Sequence, residues 1–170
     1  MQLFIMRHGE AKNFVEQGCH DDSQRALTTQ GELEAKMMSS WLQKMQVTPS
    51  HVFVSPYVRA QQTCAITTSL MNTVITTVDF ITPEGDAKQV HDFIDGWCSE
   101  QQTAVEQEKI EAEKSLLIIS HMPLVSYLVA QLTQSVQAPI FATAGIAHID
   151  YDSEKMHGRL IGLVSPSDLC

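Results

Sequence analysis

Positive charge is scarce in this chain. Eleven lysines and arginines stand against twenty acidic residues in 170, for a net charge of −9. That balance makes nucleic acid and anionic membrane surfaces poor partners, because both are gripped through basic faces. Cysteine is also sparse, and Cys19, Cys64, Cys98 and Cys170 have no metal-ligand spacing. Reduced thiols in a cytoplasm are the expectation. Long hydrophobic runs are missing as well. Ser115 to Leu132 is rich in apolar residues, but His121 and Pro123 interrupt it, so a strand, a turn and a helix fit better than a membrane span. No basic region precedes the short apolar stretch at the N-terminus, and no secretory signal is expected. Internal repeats and glycine- or proline-rich linkers are absent too, so residues 1–170 are expected to form one domain.

What is present begins with Arg7-His8-Gly9, placed directly after the apolar run Gln2-Leu3-Phe4-Ile5-Met6. The run reads as a first strand ending in a loop. Open parallel sheets bind ligands at the carboxyl ends of their strands. Arginine offers a planar fork of donors suited to phosphate, and histidine can act as nucleophile or proton carrier near neutral pH. Gly9 lets the backbone approach a bound group.

The rest of the chain alternates helix and strand signals. Lys12 to Arg25 is polar and reads as a surface loop able to lean over the first strand's end. Thr29 and Glu32 stand at capping-box spacing, and Leu33, Met37, Trp41 and Met45 predict the buried stripe of the helix that follows. His51 to Ser55 reads as a second strand. Pro56 opens a helix with Arg59 in its first turn, where free amides also favour anions. Thr73 to Ile81, rich in β-branched residues, predicts a third strand. Asp86 and Gln89 are placed to cap a helix carrying Val90, Phe93, Ile94 and Trp97. Ser99 to Lys114 reads as its solvated continuation or a mobile connection. Leu116 to Ser120 has no polar alternation and predicts a central strand covered on both faces. His121 follows it, and Met122-Pro123 starts a helix with Leu124, Leu128 and Leu132 inward. Ile146 to Tyr151 and Arg159 to Val164 predict an edge hairpin with Gly158 in its turn. The fold class is therefore α/β, a three-layer sandwich with a mostly parallel sheet between helices.

Arg7-His8, Arg59 and His121 thus fall at three strand-to-loop junctions of one sheet edge. Singly, each has a bland explanation: a histidine after a strand can bond a backbone group, and a first-turn arginine can be solvated. Together, two arginines and two histidines without patterned carboxylates or thiols favour phosphoryl binding over a metal site. The remaining histidines are scattered and read as structural or exposed. Glu84 is a candidate general acid, though a turn glutamate is more often solvated.

Arg7-His8-Gly9-Glu10, Arg25-Ala26-Leu27-Thr28, Ser55-Pro56-Tyr57-Val58-Arg59-Ala60-Gln61-Gln62-Thr63 and Ile119-Ser120-His121 together resemble the histidine phosphatase superfamily. In length and first strand the chain is most similar to its small, SixA-type phosphohistidine phosphatases. That resemblance implies a nucleophilic His8, a phosphate pocket completed by Arg7, Arg59 and a protonated His121, and Arg25 as a helper near the pocket. It implies no metal and no organic cofactor. The partner would be a phosphohistidine-carrying protein, either a histidine phosphotransfer domain of two-component signalling or a phosphocarrier; a monomer is the favoured oligomeric state. Larger relatives carry long insertions and an acid before the last histidine. Here residues 60–120 are the whole interval, and Glu84 is the acidic residue in question. A small-molecule phosphomonoesterase and a non-catalytic phosphoprotein-binding module are the alternatives.

Overall fold

Every residue of Ser115–Ser120 is buried, and this strand lies inside a six-stranded sheet. The protein is seen here in a computed structural model that describes residues 1–108 and 114–170, with 104–108 as backbone alone. Its strands are β1 (Gln2–Arg7), β2 (His51–Val54), β3 (Val74–Thr77), β4 (Ser115–Ser120), β5 (Ile146–Asp152) and β6 (His157–Val164). Their spatial order is β3-β2-β4-β1-β5-β6. The first four in that order run parallel, and β5 and β6 close the edge as an antiparallel hairpin. The helices are α1 (Phe14–Gln17), α2 (Thr29–Lys44), α3 (Val58–Thr67), α4 (Ala87–Glu108) and α5 (Leu124–Thr133).

The period of two along a strand sorts the apolar residues into two cores. Phe4, Met6, Val52, Val54, Leu117 and Ile119 pack on one face against Met38 and Leu42 of α2 and Ala60 and Cys64 of α3. Leu3, Ile5, Phe53, Leu116 and Ile118 pack on the other against α4 and α5. The continuous apolar run of β4 follows from this double covering. Three layers with a mostly parallel sheet result, as the sequence pattern implies.

Several local expectations change. The cap of α2 is Thr28, whose side chain accepts from the Gly31 amide, rather than Thr29. The buried stripe of α2 is Ala35, Met38 and Leu42, together with Gly31 and Glu34, whereas Leu33 and Met45 are about half exposed, at 49% and 54%. The physical reason is the contact of Gly31 with the loop after β1. A Cβ on Gly31 would sit 2.1 Å from the Glu10 carbonyl oxygen, so this side of the helix is pressed inward. β3 is shorter than Thr73 to Ile81, because the chain leaves the sheet after Val78 donates to Val54 O. Gly158 pairs with Tyr151 inside β6, and the turn is built from residues 153–156 instead. α4 continues past Ser99 to Glu108; residues 109–113 of the expected connection lie outside the described residues.

Candidate active site

The register of the parallel strands aligns the residues singled out by sequence. Arg7 pairs with Ser120, and Val54 pairs with Ile119, so His8, His121 and Ser55 emerge side by side from β1, β4 and β2. His8 is tied down by its backbone: its amide donates to Ser120 O, and its carbonyl accepts from the Ala144 amide. Gly9 donates its amide to Thr63 Oγ1, and a Cβ on Gly9 would meet Gly31 O at 2.5 Å. Only glycine permits this approach, which draws the His8 loop against α2 and α3.

His8 is 7% exposed, and its Nδ1 lies 2.6 Å from the Gly9 carbonyl oxygen. A carbonyl can only accept, so Nδ1 carries the proton and Nε2 keeps a lone pair. That lone pair meets Arg59 Nε at 3.3 Å. Burial pushes the His8 pKa down to about 3, and the charges of Arg59, Arg7 and Arg25 add to the effect against the Gly9 hydrogen bond. The ring is neutral at physiological pH.

Arg59, on the first turn of α3, is 3% exposed. Its Nη1 donates to Asp22 O at 2.6 Å and its Nη2 to Asp22 Oδ2 at 3.0 Å. The Tyr57 ring packs against both the Arg59 guanidinium, 5.0 Å away, and the His121 ring, 4.9 Å between centroids.

Arg7 donates from Nη1 to Phe141 O at 2.8 Å, while its Nε is buried without a hydrogen-bond partner. The nearby Glu34 carboxylate offsets part of the burial cost of that guanidinium. Glu34 itself is buried, accepting from the Glu10 amide and the Thr143 hydroxyl. It is the buried counter-charge of the site, and nothing in the sequence marked it.

His121 departs from expectation. Rather than being protonated, it is held at a pKa of about 2, first by burial and then by His8 and Arg59. Its ring centroid lies 5.1 Å from that of His8. Nε2 is 2.7 Å from Ser55 Oγ, and Nδ1 is buried without a partner. The Ser55 hydroxyl can donate to Nε2, which leaves an N–H at Nδ1 able to donate to an oxyanion while the ring stays neutral.

Arg25 does not touch either histidine. Its Nε donates to Asp22 Oδ1 at 2.7 Å, its Nη1 donates to Lys12 O, and its guanidinium lies over the Phe14 ring. Asp22 therefore bridges Arg25 and Arg59. The Lys12 to Arg25 segment leans onto the site through this carboxylate, a role that the Asp21-Asp22 pair did not disclose. Glu84 is exposed, and among the described residues it has no hydrogen-bond or ion-pair partner. Of the scattered histidines, His91 bonds Tyr151 and Met156 O, His148 stacks on Phe4, and His20 is exposed.

Among the described residues, no group of three or more His, Cys, Asp or Glu could hold a metal ion, and no helix is long and apolar enough to cross a membrane. The arrangement can instead hold a tetrahedral anion between the buried guanidinium of Arg59 and the half-buried one of Arg7, beside an unprotonated ring nitrogen.

Comparison with known proteins agrees with that chemistry. The family model described as histidine phosphatase superfamily (branch 1) matches residues 3–81. The chain is 35% identical over 171 residues to phosphohistidine phosphatase SixA of Escherichia coli (strain K12), covering 99% of this chain and 96% of that protein. This chain belongs to the histidine phosphatase superfamily. Another member, the SixA homolog of Haemophilus influenzae (strain ATCC 51907 / DSM 11121 / KW20 / Rd), is 34% identical over 164 residues, 91% of each chain. In three dimensions, the superfamily structure of the protein histidine phosphatase SixA complexed with tungstate superposes with a TM-score of 0.86 at 35% identity, covering all of both chains.

Proposed function

We propose that this chain is a phosphohistidine protein phosphatase that hydrolyses phosphate from a phosphorylated histidine on a signalling or phosphocarrier protein. One observation carries the reading: His8 is buried, neutral and locked by Gly9 O in the tautomer that leaves Nε2 unprotonated. The near-full-length similarity to SixA proteins supports the substrate class.

In the first step, the His8 Nε2 lone pair forms a bond to phosphorus in line with the departing nitrogen. The P–N bond of the substrate breaks, and its electron pair leaves on the imidazole. An imidazole with an ordinary pKa of about 6.5 can already carry a proton on its other nitrogen, so it departs as a neutral ring. Arg7 and Arg59 hold the charge on the equatorial oxygens, and the His121 Nδ1–H donates to one of them. Water then attacks phosphorus, the bond to Nε2 breaks, and inorganic phosphate leaves with the water's proton passed to phosphate or solvent. Arg25 acts one carboxylate away, through Asp22. No step requires a metal or organic cofactor.

Residues 1–170 form one domain in this reading, since both cores share a single sheet. The partner is a histidine phosphotransfer domain of two-component signalling or a phosphocarrier, the compartment is cytoplasmic, and a monomer is the favoured state. The decisive experiment offers a phosphohistidine protein, a phosphoserine peptide and a small phosphate ester side by side. The phosphohistidine protein should have by far the highest kcat/KM. Preference for the small ester would replace this reading with a phosphomonoesterase, and no turnover of any substrate would leave a binding module.

A further inference from the structure

Asp22 is the acidic side chain that Arg25 and Arg59 share. Its Oδ1 accepts from Arg25 Nε at 2.7 Å and its Oδ2 from Arg59 Nη2 at 3.0 Å. These are guanidinium groups from two different segments, and both lie within the electrostatic reach of His8 and His121. The Asp22 carboxylate is itself felt at His121, where it favours the protonated ring against the arginines. Burial works against its ionisation, yet the hydrogen bonds from Arg25 and Arg59 hold its pKa below the usual aspartate value. Asp22 is therefore an anion at neutral pH.

Two features separate this carboxylate from an ordinary structural ion pair. Its side chain is 40% exposed, whereas that of Arg59 is 3% exposed, so the anion approaches the guanidinium from the solvent side. The backbone also does the work of positioning independently. Arg59 Nη1 donates to the Asp22 main-chain carbonyl at 2.6 Å, and the 3-10 turn Asp22–Gln24 is capped by Asp21, not Asp22. Removing the carboxylate charge would leave both the turn and one anchor of Arg59 in place.

We infer that Asp22 is a built-in competitor of the phosphoryl group, a carboxylate that takes the arginine donors a phosphate would use and so limits how tightly phosphate is held. The inference rests on the phosphatase reading and adds a determinant of affinity to it. Its physical basis is repulsion: phosphate oxygens and the carboxylate must share Arg59, and each like charge at close range weakens the other's hold. The benefit lies in turnover, because an enzyme whose product is the same anion that its pocket grips must let that anion go. A purely positioning carboxylate would act in the opposite sense, since its loss would loosen Arg59 and weaken phosphate binding.

The test is titration calorimetry of inorganic phosphate into the parent chain and into Asp22→Asn and Asp22→Ala, with product inhibition measured in parallel. Thermal melting and turnover of a phosphohistidine protein are followed alongside. Neutralising one charge at roughly 6 Å in a partly screened pocket should tighten phosphate binding about threefold to thirtyfold. The inhibition constant for phosphate and the KM should fall together, with the melting temperature held. Asp22→Glu, which restores the charge, should return phosphate binding towards the parent value. Phosphate binding that is unchanged or weaker in both neutral variants would overturn the competitor role while leaving the phosphatase reading intact. A parent chain that binds no phosphate would overturn the competitor role, and one that also fails to turn over the phosphohistidine protein would overturn both.

Discussion

Arg59 Nε sits 3.3 Å from His8 Nε2, so a permanently charged donor faces the single unprotonated nitrogen of the buried ring. The opposite nitrogen is committed to Gly9 O. A guanidinium in this place does two things. It opposes protonation of the ring through its charge, and in the proposed reaction it is the partner of the incoming phosphoryl oxygens.

If Nε2 is the nucleophile, phosphate should become attached to His8 during turnover. Quenching the reaction in alkaline denaturant should trap acid-labile, base-stable label on that residue, read by mass spectrometry of the digested chain. Label trapped in equal yield in a His8→Ala variant would assign the nucleophile elsewhere.

Arg59→Lys should behave as a severe change despite keeping the charge. Lysine has no planar fork, and its single nitrogen cannot serve Asp22 and the phosphoryl oxygens as Arg59 can. The expected loss in kcat/KM is about tenfold to a thousandfold, the range for removing one transition-state donor. Near-parent kinetics would place Arg59 outside the reaction.

The two buried histidines make stability depend on pH in a definite direction. Their folded pKa values, about 3 for His8 and about 2 for His121, lie below the ordinary value of 6.5. Between those limits the unfolded chain binds more protons, so stability is full above pH 6.5 and declines as pH falls towards 3. Each ring should remove about 2 kcal/mol between pH 7.5 and pH 5. Urea unfolding at the two pH values checks this, and the difference should shrink in His121→Gln. An unchanged difference in that variant would mean that His121 titrates alike in the folded and the unfolded chain.

Gly31→Ala should damage the site from a distance. A methyl there would fall 2.1 Å from Glu10 O, and the backbone that must yield leads directly to Gly9 and His8. Overpacking of this kind costs about 1–3 kcal/mol. Gly96→Ala is the control, because a Cβ at that position meets nothing within 4 Å. Equal melting temperatures for the two variants would show that the α2 contact does not support the loop.

Glu84→Gln should leave phosphohistidine turnover within about twofold of the parent. The side chain has no hydrogen-bond or ion-pair partner among the described residues, and a neutral imidazole leaving group needs less help than an alkoxide. Abolished turnover would reveal Glu84 as the proton donor and bring the ester-hydrolysing mechanism forward.

Sequence by itself determined the layer order and the sheet edge at which Arg7, His8, Arg59 and His121 gather. An apolar run of period-two residues has one way to serve two cores, and the β4 pattern declared it before any contact was known. Arg7, His8, Arg59 and His121 were legible for the same reason: each is a polar residue directly after, or one turn beyond, a strand, and parallel strands deliver their carboxyl ends to one side. Only the tertiary structure decided what these groups are. The neutrality of His121 arises from burial beside His8 and Arg59, which are distant in the chain, so no local pattern could report it. Glu34 and Asp22 likewise gain their roles from partners on other elements: Glu10 and Thr143 for one, Arg25 and Arg59 for the other. The inward face of α2 was decided by the backbone contact of Gly31 with Glu10, a steric demand that the spacing of Leu33, Met37, Trp41 and Met45 cannot express. Strand periodicity is a local property and survives in one dimension; charge state and close approach are properties of neighbours, and neighbours exist only once the chain has folded.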